Sequence, residues 1–224
     1  MEVLEAIYKR HSVRHYQTKP IEDEVIKQLE NFVEKCNQDS GLKFQLVLND
    51  ENAFKGLLAH YGKLSGVRNY IALVGGISSD LDTKVGYYGE KCVIKAQQLG
   101  LNSCWLALTF NKRNVINKCT VKKGEKLVAI IAIGYGVNKG KAHKGKFLED
   151  ISSMKDDSPE WFKNGVKIAS LAPTGLNKQH FYLVLVGDHK VKLNNLGGKY
   201  SKIDLGIVKY HFEVGAGIEN FEWV

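Results

Sequence analysis

Apolar positions along the chain fall into two periods, and the alternation between them sketches the elements. Val3, Leu4, Ile7 and Tyr8 share one face of a short helix over residues 3–10, which runs into KRHSVRHY, so the arginines emerge at its C-terminal end. After Pro20, the acidic Glu22, Asp23 and Glu24 open a helix striped by Ile21, Val25, Leu29, Phe32, Val33 and Cys36, with negative charge where the helix dipole favours it and an end near Asn37. LKFQLVLND reads as a strand, Ala53–Tyr61 as a helix and NYIALVGG as a buried strand. The longest helical stripe is Val85, Tyr88, Cys92, Val93, Ala96 and Leu99, stopped by Gly100. A short strand follows over Asn102–Leu108, a small helix over residues 111–119, and a fully apolar strand, KLVAIIAIGYG. Beyond a lysine-rich loop, Asp157 and Ser158 cap a helix entered through Pro159 and stopped by Pro173, with Trp161, Val166, Ile168, Ala169 and Leu171 as its apolar surface. Then come a strand at Phe181–Val186, a polar connector from Gly187 to Lys202, a last helix with Leu205, Val208, Phe212 and Val214 inward, and a short aromatic tail.

This order lacks hairpin-like pairs and has no run of βα units opening on a phosphate loop, which predicts an α+β fold, a sheet covered by helices. Two segments also echo each other. FQLVLND (Phe44–Asp50) resembles FYLVLVGD (Phe181–Asp188), and GEKCVIKAQQLGLNSCW (Gly89–Trp105) resembles GIVKYHFEVGAGIENFEW (Gly206–Trp223). The order strand, helix, tryptophan is the same in both, as in a duplicated unit, although short apolar strands also coincide by chance.

Composition narrows the function classes. At 224 residues, with 44% hydrophobic and 25% charged positions, the chain has the make-up of a globular protein. The longest apolar run, Leu127–Ile133, is far short of the ~20 residues of a membrane helix, and the acidic start MEVLEA reads as neither signal peptide nor anchor. Cys36, Cys92, Cys104 and Cys119 form no CxxC pair and the histidines no metal spacing, so free thiols, no metal and a cytoplasmic setting are expected. A net charge of +8 raises nucleic-acid binding, but the lysine groups 122, 123, 126 and 139, 141, 144, 146 are local and not interleaved with aromatics. A phosphate-bearing small molecule fits those charges better than DNA or RNA.

Two stretches carry candidate chemistry. In KRHSVR, Arg10 and Arg14 bracket a small hydroxyl and suit an anion in bidentate geometry; the plain alternative is basic side chains answering a helix dipole. In SLAPTGLNKQHFYLVLV, Thr174, Asn177 and Gln179 supply short polar side chains at a bend between two apolar elements, suited to the edge of a flat polar ligand or to satisfying their own backbone. VGAGIEN lacks the third glycine and the preceding strand of a dinucleotide fingerprint, and reads as a helix terminus.

Together KRHSVRHY, the APTGLNKQHFYLV loop, GLNSCW and IIAIGYG with the basic loop after it resemble the FMN-dependent nitroreductases, over most of the chain. The resemblance implies a nitroreductase-like fold with a mostly antiparallel central sheet. It implies that Arg10, His11, Ser12 and Arg14 hold the ribityl phosphate and part of the ring, that Pro173, Thr174, Gly175, Asn177 and Gln179 line the ring edge, that the backbone of Ala107, Leu108 and Thr109 approaches the reactive nitrogen, and that Lys144 or Lys146 reaches the phosphate. The chain departs from the common pattern: CNQDSGLK stands after the first long helix where the Ala-Pro loop is usual, and that loop comes only after the basic loop. His180 stands where a proline is usual. It therefore resembles a rearranged branch in which one chain mimics the usual homodimer, a pseudo-dimer of residues 1–150 and 151–224 with one site and a monomeric state open to it. The implied activity is transfer of hydride equivalents from NADH or NADPH, through FMN and by a ping-pong cycle, to a small acceptor such as a nitroaromatic or quinone; an FMN-storing or sensing module is the alternative.

Overall fold

The computed structural model describes residues 1–56 and 60–224. Helices α1 (Val3–Lys9) and α2 (Asp23–Ser40) precede a short strand β1 (Gln45–Val47), β2 (Asn69–Gly76), the long helix α3 (Leu81–Gln98), β3 (Asn102–Leu106), α4 (Lys112–Lys118) and β4 (Glu125–Gly134). The remainder is α5 (Leu148–Ile151), α6 (Glu160–Ala169), β5 (Phe181–Val186), β6 (Lys190–Asn195), α7 (Ser201–Ala216) and β7 (Glu222–Trp223).

The main sheet has the order β1-β2-β4-β3, antiparallel throughout. Its central strands are buried on both faces, which explains their unbroken apolar runs. Ile71, Leu73, Ala129, Ile131 and Ile133 meet α1, α2 and α3 on one side. Tyr70, Ala72, Val74, Ile130 and Ala132 pack with Val13, Tyr16, Phe110 and Val115 on the other. A second core gathers Phe162, Val166, Phe181, Leu183, Val191, Val208 and Phe212 between α6, α7 and the small sheet β5-β6-β7.

Helices α3 and α7 join the two cores, and glycine allows their approach. A Cβ on Gly86 would stand 2.0 Å from the carbonyl oxygen of Ile203, and one on Gly206 the same distance from that of Thr83. The backbones therefore touch where any side chain would separate them.

Several expectations need correction. The connector from Gly187 to Lys202 contains β6, which forms a hairpin with β5 through residues 187–189, where Gly187 has φ 62°. Six paired positions run from Phe181↔Asn195 to Val186↔Lys190. The strand expected over LKFQLVLND shrinks to three residues, and α2 runs on to Ser40 before Gly41 closes it in the left-handed region. Of the helix expected over Ala53–Tyr61, the first part is a 3-10 turn, Glu51–Phe54, and residues 57–59 lie outside the described residues. In α7, Val208 and Phe212 are buried as expected, whereas Leu205 and Val214 are half-buried and Ile203, Ile207 and His211 point inward. No helix among the described residues is long and apolar enough to cross a membrane.

The echo has a structural counterpart. Each long helix of the pair, α3 and α7, leads to a strand bearing a tryptophan whose indole donates to a buried glutamate of that helix. Trp105 Nε1 lies 2.7 Å from Glu90, and Trp223 Nε1 lies 2.8 Å from Glu213.

Candidate functional site

Helix α1 ends at Arg10, whose extended backbone still donates to Ala6, and the chain then runs straight along the edge of β3. Val13 N donates to Ser103 O at 3.0 Å, and Ser12 bridges Ser103. This pinning turns Arg10, Ser12 and Arg14 toward a cavity of about 800 Å³, whose walls also include Leu106 at the end of β3, Ala107–Thr109 after it, and Asn138, Gly140 and Lys141 of the basic loop. The opposite wall is Pro173–Asn177 with Tyr200, Ile203, Asp204 and Ile207 of the second core. Its size lies in the usual range of small-ligand sites, roughly 300–1,000 Å³.

Eleven of the residues singled out from the sequence meet on this cavity: Arg10, His11, Ser12, Arg14, Ala107, Leu108, Thr109, Pro173, Thr174, Gly175 and Asn177. Lys144, Lys146 and Gln179 do not line it. Gln179 is fully buried and turned into the protein, accepting from Lys146 N at 2.7 Å and donating to Ser170 O at 2.9 Å. Lys146 Nζ donates to the carbonyl of Gln179, and the Lys144 carbonyl accepts from Asn177. These three bind the basic loop to the Pro173–Asn177 loop, and Lys141 and His143 take the cavity wall instead.

The Pro173–Gln179 loop is held under strain. Leu176, Asn177 and Gln179 have φ of 53°, 55° and 46°, a region that side chains with a Cβ rarely occupy. The fixings are specific: Gln179 N donates to Thr174 Oγ1, and Gly175 N donates to both oxygens of Asp204, at 2.9 and 3.0 Å. Burial drives the Asp204 carboxyl up to about 6, opposed by the Gly175 N–H that favours its ionised form.

Beneath the arginine wall lies a buried polar cluster that sequence reasoning missed. Glu90 and His211 are fully buried and Arg10 is 5% exposed. Glu90 accepts from Trp105 through one oxygen; the other is 3.0 Å from His211 Nε2 and 3.8 Å from Arg10 Nε. His211 Nδ1 faces the carbonyl of Ile168 at 3.1 Å. A carbonyl only accepts, so Nδ1 donates its hydrogen to Ile168 and Nε2 is the ring nitrogen facing Glu90. Arg10 Nε has no hydrogen-bond partner, and desolvation works against its charge while Glu90 supports it. A clue to Glu90 stood in its place on the apolar stripe of α3, between Gly86 and Val93.

Among the described residues, no three or more His, Cys, Asp or Glu are grouped as metal ligands.

A family model described as "Putative TM nitroreductase" matches residues 2–216. The chain belongs to the nitroreductase family. It is thereby placed among the flavin-dependent oxidoreductases. No curated protein matches this nitroreductase. Among solved structures, a putative nitroreductase of Thermotoga maritima is 21% identical with TM-score 0.70, covering 96% of this chain and 83% of its own. One from Desulfovibrio desulfuricans, in complex with FMN, is 18% identical with TM-score 0.55 over 71% of this chain and 99% of its own. A putative NADH oxidase of Clostridium acetobutylicum is 22% identical with TM-score 0.53 over 67% and 99%. These likenesses establish the α+β nitroreductase fold.

Proposed function

We propose that this nitroreductase binds one FMN in the cavity and passes hydride equivalents from NADH or NADPH to a small acceptor such as a nitroaromatic or quinone, the two taking turns at one open face. One observation carries the reading: Arg10, buried and with no hydrogen-bond partner at Nε, stands at the wall of a cavity that both halves of the chain complete. A buried guanidinium without a full set of acceptors is poised for an anion, and a phosphate supplies oxygens at bidentate spacing.

The donor set fits FMN. Arg10, Arg14 and Lys141 would hold the phosphate end, with Ser12 and His11 beside it, and Pro173, Thr174, Gly175 and Asn177 would border the ring. When bound, FMN supplies the two-electron carrier, which no side chain offers. The protein's share is positioning and charge. The positive charge of Arg10 or Arg14 would also favour negative charge developing on the ring, and Leu106, Ile203 and Ile207 would offer apolar surface to its face. Asn177 is fixed through the Lys144 carbonyl, so a ring edge would meet a preformed wall there.

The test is the visible spectrum of the purified protein after incubation with FMN, followed by anaerobic addition of NADH or NADPH. A flavin band that either nucleotide bleaches, and that an acceptor restores, is the expected result. Absence of the band overturns FMN binding, and a band that neither nucleotide bleaches leaves a flavin-binding module without turnover.

A further inference from the structure

A second cavity, of about 570 Å³, adjoins the first and shares Ala107, Leu108, Tyr200 and Ile203 with it. Its charge is one-sided: Lys55, Lys112, Lys126 and Lys199 stand on its walls against the single carboxylate of Asp82. Lys126 is 3.5 Å from Asp82 and Lys55 is 3.7 Å from Glu51, so those two charges are partly answered. Lys112 and Lys199 are exposed and have no ion pair among the described residues. Phe110, Leu127 and Val128 form apolar wall between the lysines, which lowers the local dielectric and focuses the field of the ammonium groups.

We propose that this lysine-rimmed annexe binds the pyrophosphate-bearing end of the nucleotide hydride donor. The inference rests on the oxidoreductase reading given above. The four shared residues place the two cavities side by side, so one extended molecule that crosses them at Leu108 and Tyr200 can place a reacting ring in the first and an anionic tail in the second. A dinucleotide has that shape and charge. A neutral nitroaromatic or quinone is small enough for the first cavity and has nothing for the lysines to hold. Leu108, 49% exposed, stands at the junction with Tyr200, where the molecule would pass from one cavity into the other.

The experiment uses the FMN-loaded protein and its Lys112→Glu/Lys199→Glu variant. Anaerobic flavin reduction is followed with NADH, with NADPH and with N-benzyl-1,4-dihydronicotinamide, a hydride donor without phosphate. Flavin content, read from the visible band, reports whether the variant's first cavity is intact. The expected result is a rise of about tenfold or more in the apparent Kd of the nucleotide, a weaker dependence of that Kd on salt, and an unchanged rate with the phosphate-free donor. Equal loss with all three donors, or no change with any, overturns the proposal. So does a change confined to the KM of the acceptor, which would make the annexe an acceptor site. If the wild-type flavin is reduced by the phosphate-free donor but by neither nucleotide, the nucleotide reading itself has failed. That outcome is separate from a variant-specific result.

Discussion

Glu90 has both carboxylate oxygens committed, to Trp105 and to His211, and it is also the nearest negative charge to Arg10. Removing one member of such a buried set leaves the others desolvated and uncompensated. Glu90→Ala is expected to cost about 3–5 kcal/mol, read by chemical denaturation, and Glu90→Gln less, because the amide still accepts from Trp105. Asp204 makes a different prediction, about pH. Its folded value is raised to about 6 from the ordinary 3.8, so between those values the folded chain binds more protons than the unfolded one. Stability contributed by this group is therefore fully present below pH 4 and falls as pH rises toward 6. Denaturation profiles over that window should lose this slope in Asp204→Asn. The meeting of these residues was not legible from sequence. Glu90 and His211 are 121 positions apart, and no spacing rule joins them. Arg10 and the Pro173–Asn177 loop were legible only because their residue types resemble a known arrangement, and their 163-residue separation closes through α7 and β3.

Among elements, the strongly periodic ones were readable: α3 ends within a residue of Leu99, the last position of its stripe, and β2 coincides with NYIALVGG. Strand β6 was not, for a physical reason. Only Val191 of its six residues is buried, so the sequence KVKLNN carries no two-sided apolar alternation and reads as a connector. The expected absence of hairpins failed at the same place. The crossing of α3 and α7 was equally hidden, since its determinants are glycines with no apolar signal of their own. Gly206→Ala places a methyl group against the Thr83 carbonyl and the Tyr87 N–H of α3. A destabilisation of about 1–3 kcal/mol is expected, measured by thermal or urea unfolding, with Gly100→Ala as a control that meets open space but must adopt φ 82°.

For the molecule as a whole, one cavity drawing on both halves sets a stoichiometry. Only the first half carries the Arg10–Arg14 stretch, and only the second the Pro173–Asn177 loop. Flavin absorbance per chain, measured together with mass in solution, should give one FMN per chain; two per chain would contradict the fused-dimer reading. The Arg10 cluster adds a further consequence. Arg10 holds its positive charge behind the cavity wall, 3.8 Å from Glu90 and almost wholly out of solvent. Dissolved ions screen exposed charges over about 8 Å at physiological ionic strength but reach a buried one poorly. The exposed lysines of the annexe are under that screening, and Arg10 is not. Rising salt should therefore loosen a visitor at one end of the site more than the lodger that Arg10 helps to hold at the other, so that depth helps to separate what is retained from what is exchanged.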